Sequence, residues 1–143
     1  VSSSAAVPAL RSGRVAWQLT STLWVGGVWM LHFVLLPALE RFGLAQLLID
    51  DIAGFMRPLM AAFAAVCALL QIVIVWAAVG TRWWRDLRGQ LLVVVLVAAG
   101  AFFALAWLSE GEQTPYWQVF CYLVLAFAGL GLVLQPRPDE AGR

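Results

Sequence analysis

Residues 91–108 carry no charged or polar side chain apart from the indole of Trp107. Such a stretch cannot coat a water-soluble surface, and it matches the roughly 20 apolar residues that a membrane-spanning helix needs. Three further stretches reach or approach this length: Val15 to Leu36, Pro58 to Val79, and Tyr116 to Leu134. Pro37, Pro58, Pro115 and Pro136 sit at their edges, where proline fits a first helical turn or disfavours helix in the residue before it. Gly80 and Gly111 follow the second and third runs and read as C-terminal caps. Alternating strand patterns are absent, which argues against a membrane barrel.

Composition narrows the function classes. Hydrophobic residues make up 63% of the 143-residue chain and charged residues 12%, against about 45–50% and about 25% in soluble domains. Mean hydropathy is +0.88. A soluble enzyme and a disordered chain are both excluded. A net charge of +1 excludes a general nucleic-acid binder, which carries a basic excess. The expected architecture is an all-α integral membrane protein: a four-helix transmembrane bundle over residues 15–134, with flexible tails at 1–14 and 135–143.

The first connection, about Ala38 to Arg57, is the longest. Leu44, Leu47, Leu48, Ile52 and Phe55 recur in it at roughly helical spacing, with Gln46, Asp50, Asp51 and Gly54 between them. This predicts a short amphipathic helix on the outer membrane surface between helices 1 and 2. All nine basic residues are arginine, and seven of them fall in the tails and the second loop. Only Arg41 and Arg57 fall on the other side. The positive-inside rule then puts both termini in the cytoplasm. Trp17, Trp83, Trp84, Trp107 and Trp117 near the run ends suit the headgroup layer.

Polar residues inside the runs are the candidate positions, because a polar side chain in lipid tends to face other helices. On the first helix Gln18, Thr22, Gly26 and Trp29 form a stripe, with Gly27 and His32 nearby. On the second, Ala61, Ala64, Ala65, Ala68 and Gln71 form another. Depth along the helices lets Thr22 meet Gln71 in an interhelical hydrogen bond. His32, the only histidine, falls level with Gln118, Cys121 and Tyr122 of the fourth helix. A histidine satisfied by neighbouring polar groups is the plainer reading, with a proton-responsive group or a single metal or haem ligand as the functional ones. The third helix is polar-free and suits a lipid-facing surface. Cys67 and Cys121 read as two free apolar thiols.

One histidine cannot ligate haem from both sides, and no acid lies within an apolar run to form a proton relay. Nucleotide-binding, zinc and nucleophile-elbow patterns are absent. Glu110 and Glu112 read as a solvated turn. No catalytic residue, metal or cofactor is expected.

The run Leu23-Trp24-Val25-Gly26-Gly27-Val28-Trp29, followed by Pro37, resembles the bacterial membrane proteins of domain-of-unknown-function family 4149. That family is related to the eukaryotic transmembrane-protein-205 group. The resemblance covers about Val15 to Leu134 and implies four helices and no defined activity. A Trp-x-Gly-Gly helix also recurs in copper-resistance D-like proteins, whose additional histidines this chain lacks. The leading function is a non-enzymatic accessory or interaction protein acting through its Ala/Gly faces or its outer segment. Its partners are the bilayer and either another membrane protein or further copies of itself. The alternative is an oligomeric transport component, and a redox or copper/haem assembly helper ranks third.

Overall fold

Gly43 and Gly80 both adopt φ of 73°, a left-handed conformation that costs glycine nothing and stops a helix. Between them runs one 34-residue helix. The computed structural model describes residues 3–108, 111 and 114–135. In chain order its elements are α1 (Ser3–Met30), a π-helical turn (Leu31–Leu35), α2 (Leu36–Arg41), α3 (Gln46–Val79), a 3-10 turn (Gly80–Arg85), α4 (Leu87–Leu108) and α5 (Thr114–Leu134). Four segments are long and apolar enough to cross a membrane: Gly13–Arg41, Gln46–Ala77, Leu87–Leu108 and Thr114–Leu134.

The first span does not end at Pro37 as its sequence suggests. It passes through the π turn and stops at Arg41. Proline lacks an N–H, and its ring presses on the carbonyl four residues earlier. A π turn opens the helix just before that point, and Leu36 N–H reaches back to Leu31 O. Pro37 then opens α2 in the first-turn position it favours. At the other end, residues 3–14 were expected as a loose tail, and from Ser3 they belong to α1.

The amphipathic segment is helical but not a separate surface helix. Residues 46–57 form the first turns of α3, which continues through Pro58 without a break. Pro58 withholds only the one N–H that would bond Gly54, a loss a long packed helix tolerates. At about 1.5 Å per residue α3 is about 51 Å long, well beyond a hydrocarbon core of about 30 Å. Its exposed Asp50 and Asp51 reach past the apolar layer.

Each span packs on its neighbours in sequence, and α1 meets α5 to close the ring. The contact between α4 and α5 is the most extensive. On α3 a seam of Ala61, Ala64, Ala68, Gln71 and Val75 is wholly buried, and its small side chains let neighbouring helices approach. Trp24 and Val28 of α1, Leu92 and Val95 of α4, and Tyr122, Leu125 and Leu132 of α5 fill the centre.

Three sequence expectations need correction. The third span is not merely lipid-facing: Leu92, Val95, Ala99 and Phe102 point inward, while Val94 and Val97 stay exposed. Trp17 is buried in the core rather than held at the headgroups, because it falls on the inward face of α1 with Ser21 and Trp24. Arg88 is no free loop charge; it is buried in the first turn of α4, with Asp86 at 3.6 Å. Glu110, Glu112 and the tail from Pro136 to Arg143 lie outside the described residues.

Candidate functional site

The polar groups of the interior fall at successive heights along α1. Nearest its start, Ser21, Trp24 and Gln71 form a closed network. Trp24 Nε1 donates to Gln71 Oε1 at 3.0 Å, and Gln71 Nε2 donates to Ser21 Oγ. All three are buried. In lipid no water competes for these groups, so the amide of Gln71 uses its donor and acceptor on the facing helix.

One turn onward α1 is tied to α5. Trp29 Nε1 donates to Ala126 O at 3.0 Å, and Tyr122 Oη donates to Val28 O at 3.1 Å. Gly129 makes the approach possible. A Cβ there would lie 2.7 Å from Trp24 Cη2 and 2.9 Å from Val25 Cγ2, so only a hydrogen fits.

His32 sits in the π turn. Its ring lies 5.7 Å from that of Tyr122 and 5.0 Å from that of Phe33, centroid to centroid. Its Nδ1 is enclosed without a hydrogen-bond partner. Arg57 lies on α3, within electrostatic range of His32 and Tyr122. Arg57 Nε is likewise enclosed and unpartnered.

The candidate positions divide accordingly. Gln71 and Tyr122 are buried and bonded, and His32 is half-buried against Tyr122. Gly27 is half-buried, with Met60 Sδ at 3.5 Å from the place of a Cβ. Gln118 is half-buried. The Gln18, Thr22 and Gly26 stripe is exposed on the outside of the bundle, so the expected bond between Thr22 and Gln71 is not made. Ser21, one residue earlier, takes that place. The register signal lay in the sequence: Trp17, Ser21, Trp24, Val28 and Leu31 recur at helical spacing and are the buried face of α1. Arg57 was counted among loop charges, yet it falls one turn from both Ala53 and Ala61, which are buried.

Cys67 and Cys121 are free thiols. Among the described residues no three His, Cys, Asp or Glu side chains group closely enough to hold a metal ion. The chain is a small multi-pass membrane protein whose four apolar helices contact the bilayer. No family model, curated protein or solved structure matches it.

Proposed function

We propose that the chain is a non-enzymatic accessory protein that works by docking the outer face of α1 against another membrane protein. The observation that carries this reading is the exposure of Gln18, Thr22 and Gly26 on one side of α1. They recur every fourth residue and so share a face. A glutamine amide and a threonine hydroxyl turned to hydrocarbon are costly, and a neighbouring helix supplies partners for them. A Cβ built at Gly26 meets nothing within 4 Å, which leaves room for a second helix to approach closely. The Ala seam of α3, by contrast, is used up inside the bundle.

The interior favours association over conduction through one copy, because Trp24, Tyr122, Leu92, Leu125 and Leu132 fill it. The arginine distribution supports cytoplasmic termini, and a bacterial inner membrane is what the resemblance to family 4149 implies. The resemblance to family 4149 supports the four-span body and adds no activity.

A photo-crosslinking residue at Thr22, activated in native membranes, tests the proposal. The expected product contains a second, different membrane protein in stoichiometric yield, and Gly26→Leu abolishes it. A product made only of this chain would replace the accessory reading with the oligomeric one. Absence of any product would remove the docking face altogether.

A further inference from the structure

Arg57 lies on the inward stripe of α3, between the buried Ala53 and Ala61. The approach of Gly27 to Met60 sets the register of α1 against the antiparallel α3. Counting from it at about 1.5 Å per residue brings Arg57 and His32 to nearly the same height. The His32 ring lies 5.7 Å from that of Tyr122, so Arg57, His32 and Tyr122 come from three segments to one level of the bundle.

A cation turned into a helical bundle calls for an anion. Arg57 makes no ion pair or hydrogen bond among the described residues. Asp50 and Asp51 are exposed and lie about two turns further along α3. His32 Nδ1 has no partner either, and the Tyr122 hydroxyl is committed to Val28 O. Arg57 Nε and His32 Nδ1 therefore both lack a hydrogen-bond partner, at the level of the exposed apolar side chains of Met30, Phe33 and Leu59.

We propose that Arg57 and His32 bind a phosphate-type oxyanion at the Gly43 end of the bundle, supplied by a phospholipid headgroup or by a free anion. The guanidinium fork suits two oxygens of such a group. The unpartnered Nε of that fork and the unpartnered His32 Nδ1, carried as N–H, are the donors such a ligand satisfies. Met30, Phe33 and Leu59 offer the acyl chains of a lipid an apolar bed. Phosphate is favoured over other anions because it is the oxyanion that bilayer headgroups carry.

The full chain, purified in an uncharged maltoside, is placed in nanodiscs of phosphatidylglycerol or of a phosphate-free glycolipid. Native mass spectrometry reads retained lipid, and calorimetry in the glycolipid discs reads inorganic phosphate. Binding in one arm is expected, which identifies the source. Arg57→Gln should weaken it about tenfold, the loss of one charge-assisted hydrogen bond. Arg57→Lys and His32→Gln, milder changes to fold, should weaken it several-fold. Arg82→Gln, at an exposed site at the opposite end, should leave it unchanged. Equal binding by wild type, Arg57→Lys and His32→Gln, no binding in either arm, or an equal loss in Arg82→Gln would overturn the proposal.

Discussion

Trp24 Nε1 and Gln71 Oε1 meet at 3.0 Å between two wholly buried side chains, and this bond sets the rotation of α1 against α3. Ser21 adds to it through the other end of the same amide. Rotating α1 by one residue would bring Thr22 inward and break both bonds.

Gln71→Leu should therefore destabilise the bundle by about 0.6 kcal/mol, rising toward about 1.7 if the indole N–H finds no other acceptor. In a Trp24→Phe background the same substitution should cost less, because the shared bond is already gone. Reversible unfolding in mixed micelles measures the cycle. Strict additivity of the two changes would mean that the bond contributes nothing to stability.

Gly129 should tolerate no side chain, like Gly89 at the start of α4, where a Cβ would collide with the Trp83 carbonyl oxygen. Even Gly129→Ala puts a methyl 2.7 Å from Trp24 Cη2, and Trp24 is wholly buried with its indole held by Gln71. Overpacking of this kind costs about 1–3 kcal/mol. Gly26 and Gly100 have open space where a Cβ would go. Gly26→Leu and Gly100→Leu should leave the unfolding of the isolated chain near wild type. The small-residue stripe of α1 suggests a stronger effect at Gly26, but that contact is not inside this bundle.

The spans were legible because their cause is local: a run such as residues 91–108 has no solvent but lipid. The inward seam of α3 was legible for a similar reason, since Ala61, Ala64, Ala68 and Gln71 mark one face by size and polarity together. The face of α1 was not. Its exposed stripe holds Gln18 and Thr22, and its buried stripe holds Trp17, Ser21 and Trp24. Polarity points to the first, while volume and the reach of an indole N–H decide for the second. Arg57 was missed because Pro58 reads as a helix start, which assigns the preceding residue to a loop. Continuity of α3 through Pro58 depends on packing that no local pattern displays.

Tyr122→Phe and Trp29→Phe each remove one donor from the seam between α1 and α5 while keeping an aromatic ring in place. Each should lower stability by about 0.6 kcal/mol and by no more than about 1.7. In Tyr122→Phe the His32 ring keeps its aromatic neighbour, so the two changes should resemble each other. A loss of about 3 kcal/mol or more in Tyr122→Phe alone would show that its hydroxyl serves a second group, with His32 the nearest titratable one.

The bundle carries most of its exposed arginines at one end. Arg82 and Arg85 lie in the 3-10 turn that joins α3 to α4, at the same end of the bundle as the start of α1. Removing the buried Arg88 from the count leaves the excess of arginine at that end. The opposite end carries exposed Glu40, Asp50 and Asp51 beside Arg41. Lys and Arg near span ends are retained on the cytoplasmic side, whereas acidic residues contribute little. Phe42 and Gly43, exposed in the turn after α2, should therefore face away from the cytoplasm. In a background with Cys67 and Cys121 replaced by alanine, a cysteine at Phe42 should react with an impermeant maleimide on intact cells. Cysteines at Ser3 and Arg82 should react only after the membrane is permeabilised. The opposite pattern would invert the topology and would also move the Arg57 and His32 site to the cytoplasmic leaflet.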